Sequence, residues 1–347
     1  MHKNKKIKRI NFNLLLDGYG CVNSDSKEQV PFLTHTGIVS WNDSGFVKDN
    51  KPLSNVILTK KNFRLTEDGV YEYRVKISSE SLKNNIFNSM RFQNSSLVNV
   101  PIAFYKALAN PDLIARGYTY PKKGGVTVKK KGVLCLTDAE EQGPWRRYIN
   151  TDFHSRSGMK ESKEGKNSND PKDTSIYKIE NVGSVKYLAK GAIDVSELRF
   201  IPADPIYERL SVDVDGGQYE EIYMNELVKN SVNFTPEFKY YYLENSYTAD
   251  EFAERGIMLN DETLDAYIKR IIKNMLNIDI LKRNGYLKTE KLTLMITYTN
   301  GEQETIDVTL DMVDDFSFDC VNPYKEADME KIKANTEMME INKNKKK

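Results

Sequence analysis

The sequence is poor in the residues that most often carry chemistry. Three histidines (His2, His35, His154) and three cysteines (Cys21, Cys135, Cys320) are scattered over 347 residues. No C-x-x-C pair occurs, so neither a zinc site nor a disulfide framework is expected, and a reducing, cytoplasmic setting is the default. No run of about 18 apolar residues exists, so no membrane span is expected. The opening MHKNKKIKRINFNLLL is basic and then apolar, as in a secretion signal. Its apolar positions, however, alternate with Arg9, Asn11 and Asn13, the pattern of a strand. The phosphate loop G-x-x-x-x-G-K-[ST] and the EF-hand loop are both missing. No cofactor, metal or catalytic residue is assigned. An excess of one charge is also absent overall, since 51 basic side chains meet 50 acidic ones.

One absence is local. Between Asp112 and Asp138 there is no acidic residue, while Arg116, Lys122, Lys123, Lys129, Lys130 and Lys131 supply six positive charges. Tyr118 and Tyr120 lie among them, with Gly117, Gly124, Gly125 and Gly132. In a balanced chain a local excess gives the field a direction. Cations for phosphates, flat side chains for bases and glycines for close approach are what a single strand of nucleic acid requires. A solvated loop followed by a hairpin with lysines on its wet face has the same composition, and both readings stay open here. A second group, Ser155, Arg156 and Lys160, offers hydroxyls and cations of the kind that hold phosphate.

Hydropathy patterns place these segments. Ile10, Phe12, Leu14 and Leu16 predict a strand with one buried face, closed by Asp17-Gly18-Tyr19-Gly20. Residues 21–53 read as a polar excursion, and 53–65 and 70–77 as strands. Ser78-Ser79-Glu80 opens a helix with Leu82, Ile86 and Met90 at a spacing of four; another covers 102–109 and stops at Asn110-Pro111. Residues 154–174 hold one apolar side chain, Met159, and cannot order themselves alone. A strand pair is expected over 185–201, with Tyr187, Ala189, Gly191, Ile193 and Val195 alternating. A helix follows at 219–232 and a strand at 234–243. The clearest helix spans 261–284, capped by Asn260 or Asp261, with Lys269, Arg270 and Lys273 on a solvated face. The clearest hairpin joins Leu292–Tyr298 to Ile306–Leu310 through Asn300-Gly301. A charged helix and a lysine tail are expected over 325–347.

Two further groups have residue types suited to chemistry. Asp152-Phe153-His154-Ser155 packs those of a hydrolase triad into four positions, too close for each to orient the next. Asp213 and Asp215 share a strand face before Gly216-Gly217 but offer too few oxygens for calcium. Strands at the start, middle and end with few helices between them argue for an α+β fold, an antiparallel sheet with helices on one side.

Several short phrases resemble a known family. Arg116-Gly117-Tyr118, the run Lys129–Lys131, Leu136-Thr137-Asp138-Ala139-Glu140, and Ser155-Arg156-Ser157-Gly158 before a Lys/Asn-rich loop are similar to the backbone subunit of CRISPR effector complexes, the "Cas seven" group of the RAMP superfamily. Ala192-Ile193-Asp194-Val195 is similar as well. The likeness is greatest to the type I-F variant and type IV versions and covers about residues 78–205. It implies an RRM-like (ferredoxin-like) palm with fingers and thumb insertions in a single elaborated domain. The palm would take about 1–20, 66–110, 176–204 and 255–320, and the insertions 21–65, 113–175 and 205–254. It further implies a non-catalytic subunit that polymerises along guide RNA and presents it to a target DNA strand. Its partners would be that RNA, neighbouring copies in a head-to-tail filament and other effector subunits, with no membrane involved. Arg116, Lys122, Lys123 and Lys129–Lys131 would bind guide phosphates, with Ser155, Arg156 and Lys160 next. Asp152 and Asp170 lie where relatives that cut RNA carry a thumb aspartate, but they receive no such role. The other classes left open are a different single-stranded RNA-binding protein, a phage or virion structural protein and, third, a nuclease.

Overall fold

The computed structural model describes residues 5–20, 24–25, 33–34, 37–38, 47–48, 51–52, 56–59, 61–65, 67, 69, 71–87, 100–120, 127–142, 149–157, 174–203, 211–212, 218–244, 253–282 and 285–328. Among these, 24–61, 63–65, 71–73, 149–157, 174–181, 218 and 282 are described as backbone. The chain opens with β1 (Ile7–Tyr19) and five two-residue strands, β2 (Ser24–Asp25), β3 (Leu33–Thr34), β4 (Gly37–Ile38), β5 (Val47–Lys48) and β6 (Lys51–Pro52). Next come β7 (Val56–Thr59), β8 (Lys61–Leu65), β9 (Tyr71–Ile77) and the helices α1 (Ser79–Ile86), α2 (Pro101–Leu108) and α3 (Pro111–Arg116). The middle holds β10 (Tyr118–Tyr120), β11 (Val128–Lys130), β12 (Leu134–Leu136), β13 (Ala139–Gln142), β14 (Ile149–Ser157), β15 (Thr174–Val182) and β16 (Val185–Ile193). After it lie α4 (Val195–Arg199), β17 (Phe200–Pro202), α5 (Gln218–Lys229), β18 (Phe238–Leu243) and β19 (Glu254–Met258). Last are α6 (Asp261–Leu276), β20 (Asp279–Lys282), β21 (Gly285–Tyr298), β22 (Gln303–Val308) and β23 (Tyr324–Glu326).

Alternation in β1 builds the centre. Ile10, Phe12, Leu14 and Leu16 are all 0% exposed, whereas Asn11, Asn13, Leu15 and Asp17 on the other face keep part of their surface. Burying each apolar side chain is worth about 1.5–3 kcal/mol, so a one-residue register slip would forfeit the whole set. The strand therefore has fixed partners. It pairs antiparallel with β16 (Leu14 opposite Ala189) and with β21 (Leu14 opposite Leu292). The resulting sheet has nine strands in the order β20-β21-β1-β16-β13-β9-β8, with β12 also on β16 and β22 also on β21. Against its apolar face α1, α3 and α6 set Leu82, Ile86, Leu113, Ile114, Leu264, Ile268, Ile271 and Met275. This is an α+β architecture with an antiparallel main sheet, as the alternation predicts. Among the described residues no helix is long and apolar enough to cross a membrane.

Most expected elements are present, and the exceptions have local causes. Ser78 caps α1 as expected, its hydroxyl accepting from the Ser81 amide; Met90 lies outside the described residues. Asn110-Pro111 does not merely stop a helix. The Asn110 side chain accepts from the Asp112 amide at 2.9 Å and Pro111 takes the first helical position, so the pair starts α3. The 185–201 strand pair is instead strand, helix, strand, because Asp194 Oδ1 accepts from the Glu197 amide and caps α4, with Val195 inside it. Helix α6 ends at Leu276 rather than 284. Beyond Asn277 the apolar period changes from helical to two, at Ile278 and Ile280, and β20 forms. Of the charged segment expected after Pro323, Tyr324–Glu326 is a strand paired with β18, and 329–347, where most of the expected helix and the tail fall, lie outside the described residues. The polar stretch from 154 is entered by β14, which runs to Ser157 and pairs His154 with Tyr177 and Arg156 with Ser175. Asp213, Asp215 and residues 158–173 lie outside the described residues.

Candidate nucleic-acid interface

The basic segment is a hairpin rooted on the end of α3. Strands β10 and β11 pair Tyr118 with Lys130, Thr119 with Lys129 and Tyr120 with Val128. At its base Gly117, with φ +79°, and Gly132 lie against one another, and the Val133 amide donates to Ala115 O at 2.9 Å. These two glycines admit each other's backbone, not a ligand's. The tyrosines also serve the fold. Tyr118 is buried and its hydroxyl donates to Ser211 O at 2.7 Å, while burial pushes its phenol well above the ordinary value. Tyr120 is half-buried, edge-on to Phe104 at 5.2 Å and tilted against Tyr118 at 5.6 Å. Tyr118 therefore offers no flat face to a base.

The cations divide by strand alternation. Lys130 points inward: its side chain is 0% exposed, and Nζ donates to Glu197 O at 2.7 Å and Oε1 at 3.0 Å. A buried ammonium so held is a brace, and Lys130 leaves the set of surface phosphate ligands. Lys129, its neighbour, lies on the opposite side of the strand and is half-buried, its carbonyl accepting from the Ser211 hydroxyl. Lys131 is 62% exposed and its ammonium sits 3.2 Å from Asp194 Oδ2. The hydrogen bond to that carboxylate holds Lys131 above its ordinary value. Arg116, at the end of α3, reaches α1, where Nη2 donates to Asn84 Oδ1 and lies 3.5 Å from Glu80 Oε1. The structure thus gathers Arg116, Lys129 and Lys131 on one hairpin and its root. Lys122, Lys123, Gly124, Gly125 and Lys160 lie outside the described residues, and Ser155 and Arg156 are placed as backbone on β14.

What composition did not reveal is the set of acids behind the hairpin. Glu80, Asp194 and Glu197 come from α1 and the start of α4, and each takes one cation of the segment. Asp194-Val195-Ser196-Glu197 has the spacing of a capping box, which would have marked α4 in advance. Beneath them, Asp112 is 1% exposed and accepts from Arg270 Nε at 2.6 Å and Nη2 at 2.8 Å, and from Asn274 at 3.1 Å. Arg270 is exposed, as expected of that face, and is in addition a clamp between α3 and α6. Its charge is held more firmly than usual by the hydrogen bonds to Asp112.

Fold and site together define an α+β chain that presents anchored cations; among the described residues no group of His, Cys, Asp and Glu could hold a metal ion. A family model described as "Type I-Fv CRISPR-associated protein Cas7fv-like" matches residues 6–309. The chain belongs to that family, and is a backbone subunit of a Cascade-like CRISPR effector complex. A solved chain described as "CRISPR RNA-guided surveillance complex" is similar at 10% identity and a TM-score of 0.34, over 84% of this chain and 70% of that one. At that similarity nothing further follows from it. No curated protein matches by sequence.

Proposed function

We propose that this chain is a non-catalytic, cytoplasmic subunit that grips guide RNA by its phosphates through the basic hairpin, stacks head to tail on neighbouring copies and other effector subunits, and presents the RNA to a target DNA strand. The observation that carries the reading is the hairpin itself. Tyr118, Tyr120 and Val128 are taken up in anchoring, while Lys131 is exposed and Lys129 is half-buried on the other side of its strand; Lys122 and Lys123 lie between the two strands in the sequence. Phosphate contacts of this kind hold any sequence, which leaves sequence recognition to base pairing. Ser155, Arg156 and Lys160, on and beyond the β14–β15 hairpin, are the second proposed contact, and that hairpin is the proposed thumb.

A ferredoxin-like palm is supported by connectivity. Taken as β1, α1, β13, β16, α6 and β21, the elements run β-α-β-β-α-β, and the strands lie side by side in the order fourth, first, third, second. The head-to-tail stack is supported by a second local bias of opposite sign. From residue 292 to 324 there is no lysine or arginine, while Glu302, Glu304, Asp307, Asp311, Asp314, Asp315 and Asp319 are all exposed. A chain with one basic and one acidic stretch and a net charge of +1 suits an open, heterologous contact between copies better than a uniformly basic one. Membership of the CRISPR family sets the virion reading aside.

The test is binding of a labelled single-stranded RNA at several salt concentrations. Replacing Lys129 and Lys131 by alanine should weaken binding, and the Lys129 change should flatten the salt dependence by about 0.7 for the phosphate it no longer neutralises. Purified protein that carries no nucleic acid and ignores added RNA in dilute buffer would overturn the proposal.

A further inference from the structure

The two lysines that end the hairpin are paired differently, and the difference has a use. Lys130 and Glu197 form a closed pair, with side chains 0% and 10% exposed. Lys131 and Asp194 form an open one, with side chains 62% and 32% exposed. Within the open pair only one member can move. Asp194 is fixed by its own backbone, whose amide donates to Val133 O at 2.8 Å, and by Oδ1, which caps α4 through the Glu197 amide at 3.1 Å. Lys131 stands beyond the end of β11 on a flexible four-carbon stem.

We propose that Asp194 is a positioning residue that parks the Lys131 ammonium and surrenders it to a phosphate when nucleic acid arrives. This rests on the reading of the hairpin as an RNA grip. While no strand is bound, Asp194 Oδ2 holds Nζ at the edge of the hairpin. When a phosphate comes within reach, one anion replaces another at the same ammonium, and Asp194, still capping α4, takes up a cation from solution. The exchange costs little because an exposed ion pair is weak. It also adds a counterion to the protein side, so each such swap lowers the apparent salt dependence of binding.

Asp194→Asn isolates the effect, since asparagine caps a helix as well as aspartate does. In the full chain, D194N should bind a labelled single-stranded RNA about two- to fivefold more tightly than wild type, the exchange value of a surface pair. Its salt dependence should steepen by about one monovalent ion. In a Lys131→Ala background the same D194N change should have no effect beyond that of a distant charge. Equal tightening in both backgrounds would overturn the proposal by making Asp194 an ordinary repulsive charge. No tightening of D194N, with K131A still weakening binding, would also overturn it while leaving the RNA grip intact. Failure of K131A and K129A alike to weaken binding would sink the grip instead. Circular dichroism and the melting temperature of D194N, unchanged if the cap survives, separate all of these from unfolding.

Discussion

Gly117 and Gly132 meet backbone to backbone at the root of the basic hairpin. A Cβ on Gly117 would stand 2.4 Å from Gly132 N, and one on Gly132 would stand 2.5 Å from Arg116 O. Neither obstacle is a flexible side chain, so each substitution has to spread the hairpin from α3. Gly132→Ala should cost about 1–3 kcal/mol, the usual penalty of overpacking. Gly117→Ala should cost more, because φ +79° with ψ 161° is a backbone region essentially open to glycine alone and adds about 1–3 kcal/mol of strain. Urea unfolding measures both. RNA affinity should fall in step with hairpin opening, although no charge has been removed; variants as stable as wild type would show that the root can relax.

The Lys130–Glu197 pair makes a sharper distinction between bracing and binding. Lys130→Ala leaves Glu197 with its carboxylate 10% exposed beside a new gap, and breaking such a pair costs about 3–5 kcal/mol. Replacing both residues, Lys130→Met with Glu197→Leu, removes the two charges together and should restore most of that stability. The double variant should also keep wild-type RNA affinity and salt dependence, because Lys130 faces away from solvent. A loss of affinity in the refolded double variant, comparable to that of K129A, would return Lys130 to the phosphate ligands.

Much of this architecture is legible in the sequence, and the reasons for the rest are specific. Alternation over Ile10–Leu16, the Asn300-Gly301 turn and the stripe Leu264–Ile268–Ile271–Met275 report burial directly, so the centre of the sheet and its longest helix follow from them. The end of α6 does not, because Ile278 falls near the helical spacing after Met275 and only the pairing of β20 with β21 decides for a strand. The basic segment is legible as a segment but not as a surface. Charge counts cannot tell Lys130 from Lys131, since the difference comes from strand alternation against α4, 60 and more residues further along. Arg270 escapes for the same reason: its partner, Asp112, is 158 positions away.

That partnership predicts a large effect from two residues that are not themselves proposed RNA contacts. Asp112 is the buried member, and Arg270, about half exposed, is the one that supplies two parallel hydrogen bonds. Arg270→Ala should destabilise the chain by about 3 kcal/mol, with solvent reaching the arginine side keeping it at the lower end of the range for broken buried pairs. Arg270→Lys should recover only part of this, as a single ammonium cannot reproduce the fork. Because α3 carries the hairpin root, both variants should shift RNA binding through stability, and the midpoint in urea should order them as wild type, R270K, R270A. An R270A midpoint equal to that of wild type would mean that α3 and α6 are held by their apolar contacts alone.

Asp138 supplies the pH dependence. Its Oδ1 accepts from the Ser79 amide at 2.8 Å and its Oδ2 lies 3.2 Å from Lys76, joining β13 to the start of α1 beside the Ser78 cap. Partial burial pushes the carboxyl up, but the Ser79 amide and the Lys76 ammonium outweigh it, and the group titrates below the ordinary aspartate range. A depressed folded value means that the charged form is favoured by folding. The stabilisation is therefore complete above the unfolded value, about 3.9, and disappears as pH falls through the lower folded one. Asp138→Asn keeps the shape and removes the charge, so it should lower the melting temperature at neutral pH by the equivalent of about 1 kcal/mol. Between about pH 8 and pH 6 the gap to wild type should stay constant; below about pH 4 it should close, because wild type then loses the same charge. A gap that persists unchanged into acid would mean that the new carboxamide, and not the loss of the carboxylate charge, weakens the start of α1.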